Sequence, residues 1–147
     1  MLAENTVLTG RRAITRSYAK INLTLDVLSK RENGYHDIKM IMQTVSLFDL
    51  ILVDKTHRGI SISTNLPYLP CNEKNIAYKA ADAFFKATGI RGGAKIVIHK
   101  NIPVAAGLAG GSGNCAAVLT AMNMLHGNPL SNDELMHIGA SLGADVP

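Results

Sequence analysis

The stretch Pro103-Val104-Ala105-Ala106-Gly107-Leu108-Ala109-Gly110-Gly111-Ser112-Gly113-Asn114 decides how this chain is read. Four of the thirteen glycines fall within seven positions of it, and it carries no charged side chain. Upstream, Ala94 to His99 is a short run rich in β-branched residues, the composition of a strand. Downstream, from Asn114 to His126, Cys115, Val118, Leu119, Met122 and Leu125 make one apolar stripe at helical spacing. The segment from Asn101 to Gly113 therefore reads as a loop joining a strand to a helix. Glycines in such a loop let the backbone approach a ligand, and the helix start adds free N–H groups at the positive end of its dipole. Together these features make a phosphate cradle.

Two familiar phosphate loops are excluded. No Gly-Lys-Ser/Thr follows the glycines, so this is not a P-loop. Gly111-x-Gly113-x-x-Ala116 fits the dinucleotide pattern in letters only. Its glycines lie a dozen residues beyond the strand, and the acids some twenty residues on, Asp133 and Glu134, open a helix instead of ending a strand. A surface loop without a ligand is the plainer alternative, but such loops are usually polar, and this one embeds Leu108.

Working outward, Ile14 to Leu28 alternates. Ile21, Leu23, Leu25 and Val27 share one face and Lys20, Asn22, Thr24 and Asp26 the other, which predicts a half-buried strand. Asn33-Gly34 is a strong hairpin-turn signal, and Ile38 to Val45 reads as the returning strand. Leu50 to Val53 and Ile60 to Ser63 read as a further pair joined across Lys55 to Gly59. Asn72 to Thr88 predicts a helix with Ala77, Ala80, Ala81, Phe84 and Phe85 inward, stopped by Gly89. Ser131 and Glu134 form a capping box for a last helix, with Leu130 able to staple onto Leu135 and Gly143 as its stop. The chain then ends on Ala144-Asp145-Val146-Pro147 with no polar tail, which reads as a cut in a longer protein.

Length and composition agree with one folded unit. A chain of 147 residues with 47% apolar and 18% charged residues is neither disordered nor fibrous, and it buries roughly 68–70% of its unfolded surface. No apolar run reaches the 18 or so residues of a membrane helix, and Met1 to Arg12 lacks the apolar core of a secretory signal. Cys71 and Cys115 lie far apart with no partner at metal-ligand spacing, so they read as two reduced thiols. The net charge is +4, but no acidic residue lies between Asp82 and Asp133, while Lys86, Arg91, Lys95 and Lys100 do. A segment free of carboxylates suits a polyanion.

Two further residues complete a chemistry. Lys20, beside Asn22 on the polar face of the first strand, and Asp145, just past the last helix, are each ordinary surface residues when taken alone. Phosphoryl transfer to an alcohol needs such a pair. A carboxylate accepts the hydroxyl proton, and an ammonium orients the alcohol and offsets the growing negative charge.

Ser17-Tyr18-Ala19-Lys20-Ile21-Asn22-Leu23, Gly34-Tyr35-His36, residues 103 to 114 and Leu142-Gly143-Ala144-Asp145-Val146-Pro147 stand in one order. In that order and spacing the chain resembles the GHMP-superfamily small-molecule kinases. Within them it is similar to those acting on diphosphocytidyl methylerythritol in the bacterial and plastid isoprenoid route. The resemblance implies an α/β fold, an α+β sandwich with a mostly antiparallel sheet and a left-handed βαβ unit. It implies a tail over residues 1–12 and an N-terminal ATP-binding domain over 13–147, with a C-terminal domain to follow. It implies ATP with Mg²⁺, and a small-molecule partner phosphorylated on its 2-hydroxyl, with no nucleic acid or membrane. It also implies residence in a bacterial cytoplasm, or in plastid stroma for a plant source.

By the same resemblance Asp145 is the base and Lys20 its partner. Pro103, Val104, Ala105, Ala106, Gly107, Leu108, Ala109, Gly110, Gly111, Ser112 and Gly113 hold ATP, with Ser112 toward Mg²⁺. Asn22, Tyr35 and His36 bind the substrate, Tyr35 flanking cytosine. The chain departs from the family in Ala105, Ala106 and Ala109, where glycines are usual, and in Gly113, where a second serine is usual. Alanine takes positive φ only at a cost, so each alanine must sit in an ordinary conformation or the loop is strained. Two other readings remain open, a kinase of the same superfamily acting on another small alcohol, and a non-catalytic basic domain binding nucleotide or RNA. A paucity of aromatics, 5% with no Trp, speaks against the RNA reading.

Overall fold

The structure, a computed structural model, describes residues 5–30, 34 and 36–146. Asn33 of the predicted turn, Tyr35 and Pro147 lie outside the described residues. A five-stranded sheet in the order β1-β2-β3-β5-β4 is built from β1 (Thr6–Thr9), β2 (Arg12–Lys30), β3 (His36–Thr56), β4 (Gly59–Thr64) and β5 (Gly93–His99). Three helices, α1 (Ile76–Thr88), α2 (Gly110–Leu125) and α3 (Asn132–Leu142), complete the α/β fold. The sheet is antiparallel except where β4 and β5 run parallel, joined through α1. The stretch 1–12 holds β1, which pairs with the start of β2.

Alternation places the core. Ala13, Thr15, Ser17 and Ala19 of β2, Asp49, Ile51 and Val53 of β3, and Ala94, Ile96 and Ile98 of β5 are buried on one face. The small side chains on β2 leave room for α2, whose Cys115, Ala117, Val118, Ala121 and Met122 fill the space above them. Phe84 of α1 is fully buried in the same cluster, and Val146 is buried there too. Burial of Cys115 pushes its thiol up to about 12, so it acts as a small apolar residue.

Two pairings differ from expectation. Ile38 to Val45 and Leu50 to Val53 are parts of one strand, β3. That strand is not paired with Ile60 to Ser63, because β5 lies between β3 and β4. Local patterning found the strands, but adjacency was set by the α1 crossover bringing β5 back. The half-buried face expected at Ile21, Leu23, Leu25 and Val27 is also not buried. Leu23 is 57% and Val27 61% exposed. Among the described residues no helix covers the sheet beyond Ala19, so β2 and β3 continue as a two-stranded ribbon with both faces open. No helix among the described residues is long and apolar enough to cross a membrane.

Candidate nucleotide-binding and active site

Helix α2 begins at Gly110, four residues earlier than the stripe suggested, so Gly110, Gly111, Ser112 and Gly113 form its first turn. No acidic side chain lies in that turn, which leaves the N-terminal dipole unopposed. Residues 103–112 and Asn114 line one cavity of about 460 Å³, and Asp145 lines it as well. The fold thus brings together the glycine loop and the candidate base, which lie over thirty residues apart in the chain. A turn after α3 carries Asp145 there, held by the Val146 N–H donating to Gly143 O at 3.1 Å. Gly143 ends α3 in an extended conformation, φ 178°, instead of a left-handed cap.

Lys20 is tied to the loop through its backbone. The register with β3 shifts between Tyr18 and Lys20, where β3 carries the extra residues between Phe48 and Thr44, and the Lys20 N–H donates to Leu108 O at 3.2 Å. Lys20 Nζ donates to Asn22 Oδ1 at 3.2 Å, so these two candidates do meet. Neither is among the cavity-lining residues. His36 opens β3 opposite Lys30 and is exposed. It lies ten residues along β2 from Lys20, about 30 Å of strand, so the described residues do not bring His36 to the cavity.

The alanine departures have a definite outcome. Ala105 has φ 58° and Ala109 φ 57°, both left-handed, while Ala106 is not among the positive-φ residues. Two of the three thus sit where glycine is preferred, and Ala109 is the N-cap of α2 without a side-chain capping bond. Gly113 points away from the cavity. A Cβ there would lie 2.6 Å from Ser17 Oγ, beneath the helix. A side chain at 113 would therefore meet β2 rather than a bound phosphate.

Sequence patterning missed several groups that the fold gathers here. Asp49 is fully buried at the end of the apolar face of β3, and Lys100, 8% exposed, pairs with it. An acid inside the apolar run of β3 was the signal available. Asn114 Oδ1 is buried without a protein partner, as is Ser17 Oγ. No cluster of three metal-ligating acids, His or Cys exists among the described residues. A Mg²⁺ accompanying a triphosphate needs only one or two protein oxygens, since phosphate and water supply the rest. The orphaned Asn114 Oδ1 and the Ser112 hydroxyl fit that need.

Residues 75–147 match the GHMP kinases N terminal domain. The 4-diphosphocytidyl-2-C-methyl-D-erythritol kinase of Clostridium botulinum (strain Alaska E43 / Type E3) is 52% identical over 132 residues, which cover 90% of this chain and 47% of that protein. The enzyme of the same name from Caldicellulosiruptor saccharolyticus is 52% identical over 135 residues, 91% of this chain and 47% of the relative. The chain thus spans about half the length of the curated relatives it matches. A crystal structure of 4-(cytidine 5'-diphospho)-2C-methyl-D-erythritol kinase superposes with a TM-score of 0.80 at 36% identity, covering 91% of this chain and 47% of that one. Homoserine kinase from Cytophaga hutchinsonii shares the fold at a TM-score of 0.72 and 17% identity, over 95% of this chain and 43% of its own. By sequence, domain match and fold, the chain belongs to the GHMP kinases and carries their N-terminal domain.

Proposed function

We propose that this chain is the ATP-binding half of a kinase that phosphorylates the 2-hydroxyl of 4-diphosphocytidyl-2-C-methyl-D-erythritol in isoprenoid precursor synthesis. The observation that carries the reading is the single cavity shared by the glycine loop, the α2 N-terminus and Asp145. The loop amides and the helix dipole bind the phosphates, and Ser112 and Asn114 are the oxygens available to Mg²⁺. The metal, when bound, neutralises charge on the transferred phosphoryl group. Asp145 accepts the proton of the substrate hydroxyl as that oxygen attacks the γ-phosphorus, and the bond to the β,γ-bridging oxygen breaks. Lys20, held by Asn22 and by the loop, orients the alcohol and offsets its developing charge. The family resemblance assigns the diphosphocytidyl part to Asn22, Tyr35 and His36, Tyr35 by stacking, although His36 stands away from the cavity in this chain. The relatives' names support this substrate over another small alcohol, and their bacterial source supports a cytoplasmic setting.

Titration of the chain with MgATP tests the reading. A Cβ on Gly111 meets nothing within 4 Å and that residue lines the cavity, so Gly111→Val fills the site without a clash. It should remove MgATP binding and leave the circular dichroism unchanged. Gly110→Val is a poorer probe, because its Cβ would press on Lys100 Nζ and Ile102. Unchanged affinity in Gly111→Val refutes the cradle. Asp145→Asn should abolish phosphoryl transfer to the diphosphocytidyl alcohol with ATP affinity kept within about threefold.

A further inference from the structure

Asp49 lies outside every motif that led to the active site, and its surroundings are unusual. It is fully buried, and both of its oxygens are used. Oδ1 accepts the backbone N–H of Asn101 at 2.7 Å and of Ile102 at 2.8 Å. Oδ2 pairs with Lys100 Nζ. The backbone of Lys100 is gripped from the other side by Asn65, which accepts its N–H at 2.7 Å and donates to its carbonyl at 3.1 Å. These bonds end one residue before the loop begins at Pro103. At the far end of the loop, Lys100 Nζ lies 2.9 Å from where a Cβ on Gly110 would stand. The ammonium that Asp49 holds is thus the floor between the start of the loop and the first residue of α2, and it lines the cavity.

We propose that Asp49 is a positioning residue of the nucleotide loop, acting through the Lys100 ammonium and the two backbone amides. The inference rests on the nucleotide-loop reading above but makes a claim of its own about the unliganded chain. A buried ion pair is weak evidence for stability, since replacing both partners together is often neutral while removing one leaves a stranded charge. A pair kept in this place, beneath a loop with two left-handed alanines, serves to hold that loop in one conformation.

The test separates loop order from general stability. Lys100→Met alone strands a buried carboxylate and risks the fold, so the informative variant is Asp49→Asn with Lys100→Met. It removes both charges and keeps an amide oxygen for Asn101 and Ile102. Amide hydrogen exchange of the unliganded chain is read at Lys20 and Gly113, whose N–H groups bond to Leu108 O and Ala109 O in the loop. Both amides should exchange at least tenfold faster in the variant, with α1 amides such as Ala80 and Ala81 within twofold of the original. MgATP should bind at least tenfold more weakly. Unchanged exchange at Lys20 and Gly113 overturns the proposal. So does equal acceleration in α1 or failure to fold, because the pair is then a general support of the fold. An original chain that never saturates with MgATP refutes the proposed function, and the exchange data still judge Asp49.

Discussion

Replacing Ala105 and Ala109 together by glycine should stabilise the chain, against the usual effect of glycine. Both residues sit in the left-handed region, at φ 58° and 57°. An L-residue there pays about 1–2 kcal/mol relative to the right-handed conformation, a cost glycine lacks. Against that gain, each glycine makes the unfolded chain freer, which costs about 0.4–1 kcal/mol. The difference is about 0.5–1 kcal/mol per site, so about 1–2 kcal/mol for both. For a domain of this size that corresponds to a rise in Tm of roughly 3–6 °C. Urea unfolding followed by circular dichroism measures it, and the midpoint should move up with an unchanged m-value. Ala106→Gly is the internal control. That residue is not at positive φ, so it should lose about 0.4–1 kcal/mol through the unfolded state alone. A double variant that is less stable than the original, or a control that is as stabilised as the double variant, would refute the claim that these backbone conformations are strained.

Other consequences follow from single groups. Ser17→Ala removes a buried hydroxyl without a partner and should raise stability by about 1 kcal/mol in urea unfolding; a loss of similar size would mean the hydroxyl has a partner after all. Gly93→Ala should be strongly destabilising, by about 3 kcal/mol or more, because its Cβ would run into the Arg58 and Gly59 backbone across the β4/β5 pair. His126 packs between Phe84 and Phe85, and its pKa is held below the ordinary histidine value, first by burial and then by Lys55. A depressed folded pKa gives stability that is complete above the unfolded value, near 6.5, and lost as pH falls through the lower folded value. Tm should therefore fall as pH drops below about 6.5, and His126→Phe should flatten that slope; an unchanged slope assigns it to other groups.

Much of this protein was legible in the order of its residues. The apolar stripes of α1 and α2 and the Ser131–Glu134 capping box are local patterns, and the helices stand close to where those patterns put them. The glycine loop was legible for the same reason, since backbone freedom beside a helix start is a property of consecutive residues. Sequence order also held Asp145 and Lys20 as separate candidates, each unremarkable alone. Only the tertiary structure decided that Asp145 turns into the loop cavity, because that depends on how α3 packs. Only it decided that β5 separates β3 from β4, and that Ile21 to Val27 face no helix although their alternation promised a core. Pairing partners and coverage are long-range properties, and a period of two states that a face is apolar without stating what lies above it. Asp49 and Lys100 make the same point most sharply. They are fifty-one residues apart, Asp49 within β3 and Lys100 just past the end of β5, and nothing in the local sequence of either names the other. Their meeting follows from the sheet register, since the β3/β5 ladder ends at Leu50 opposite His99 and the next residue of each segment is Asp49 and Lys100.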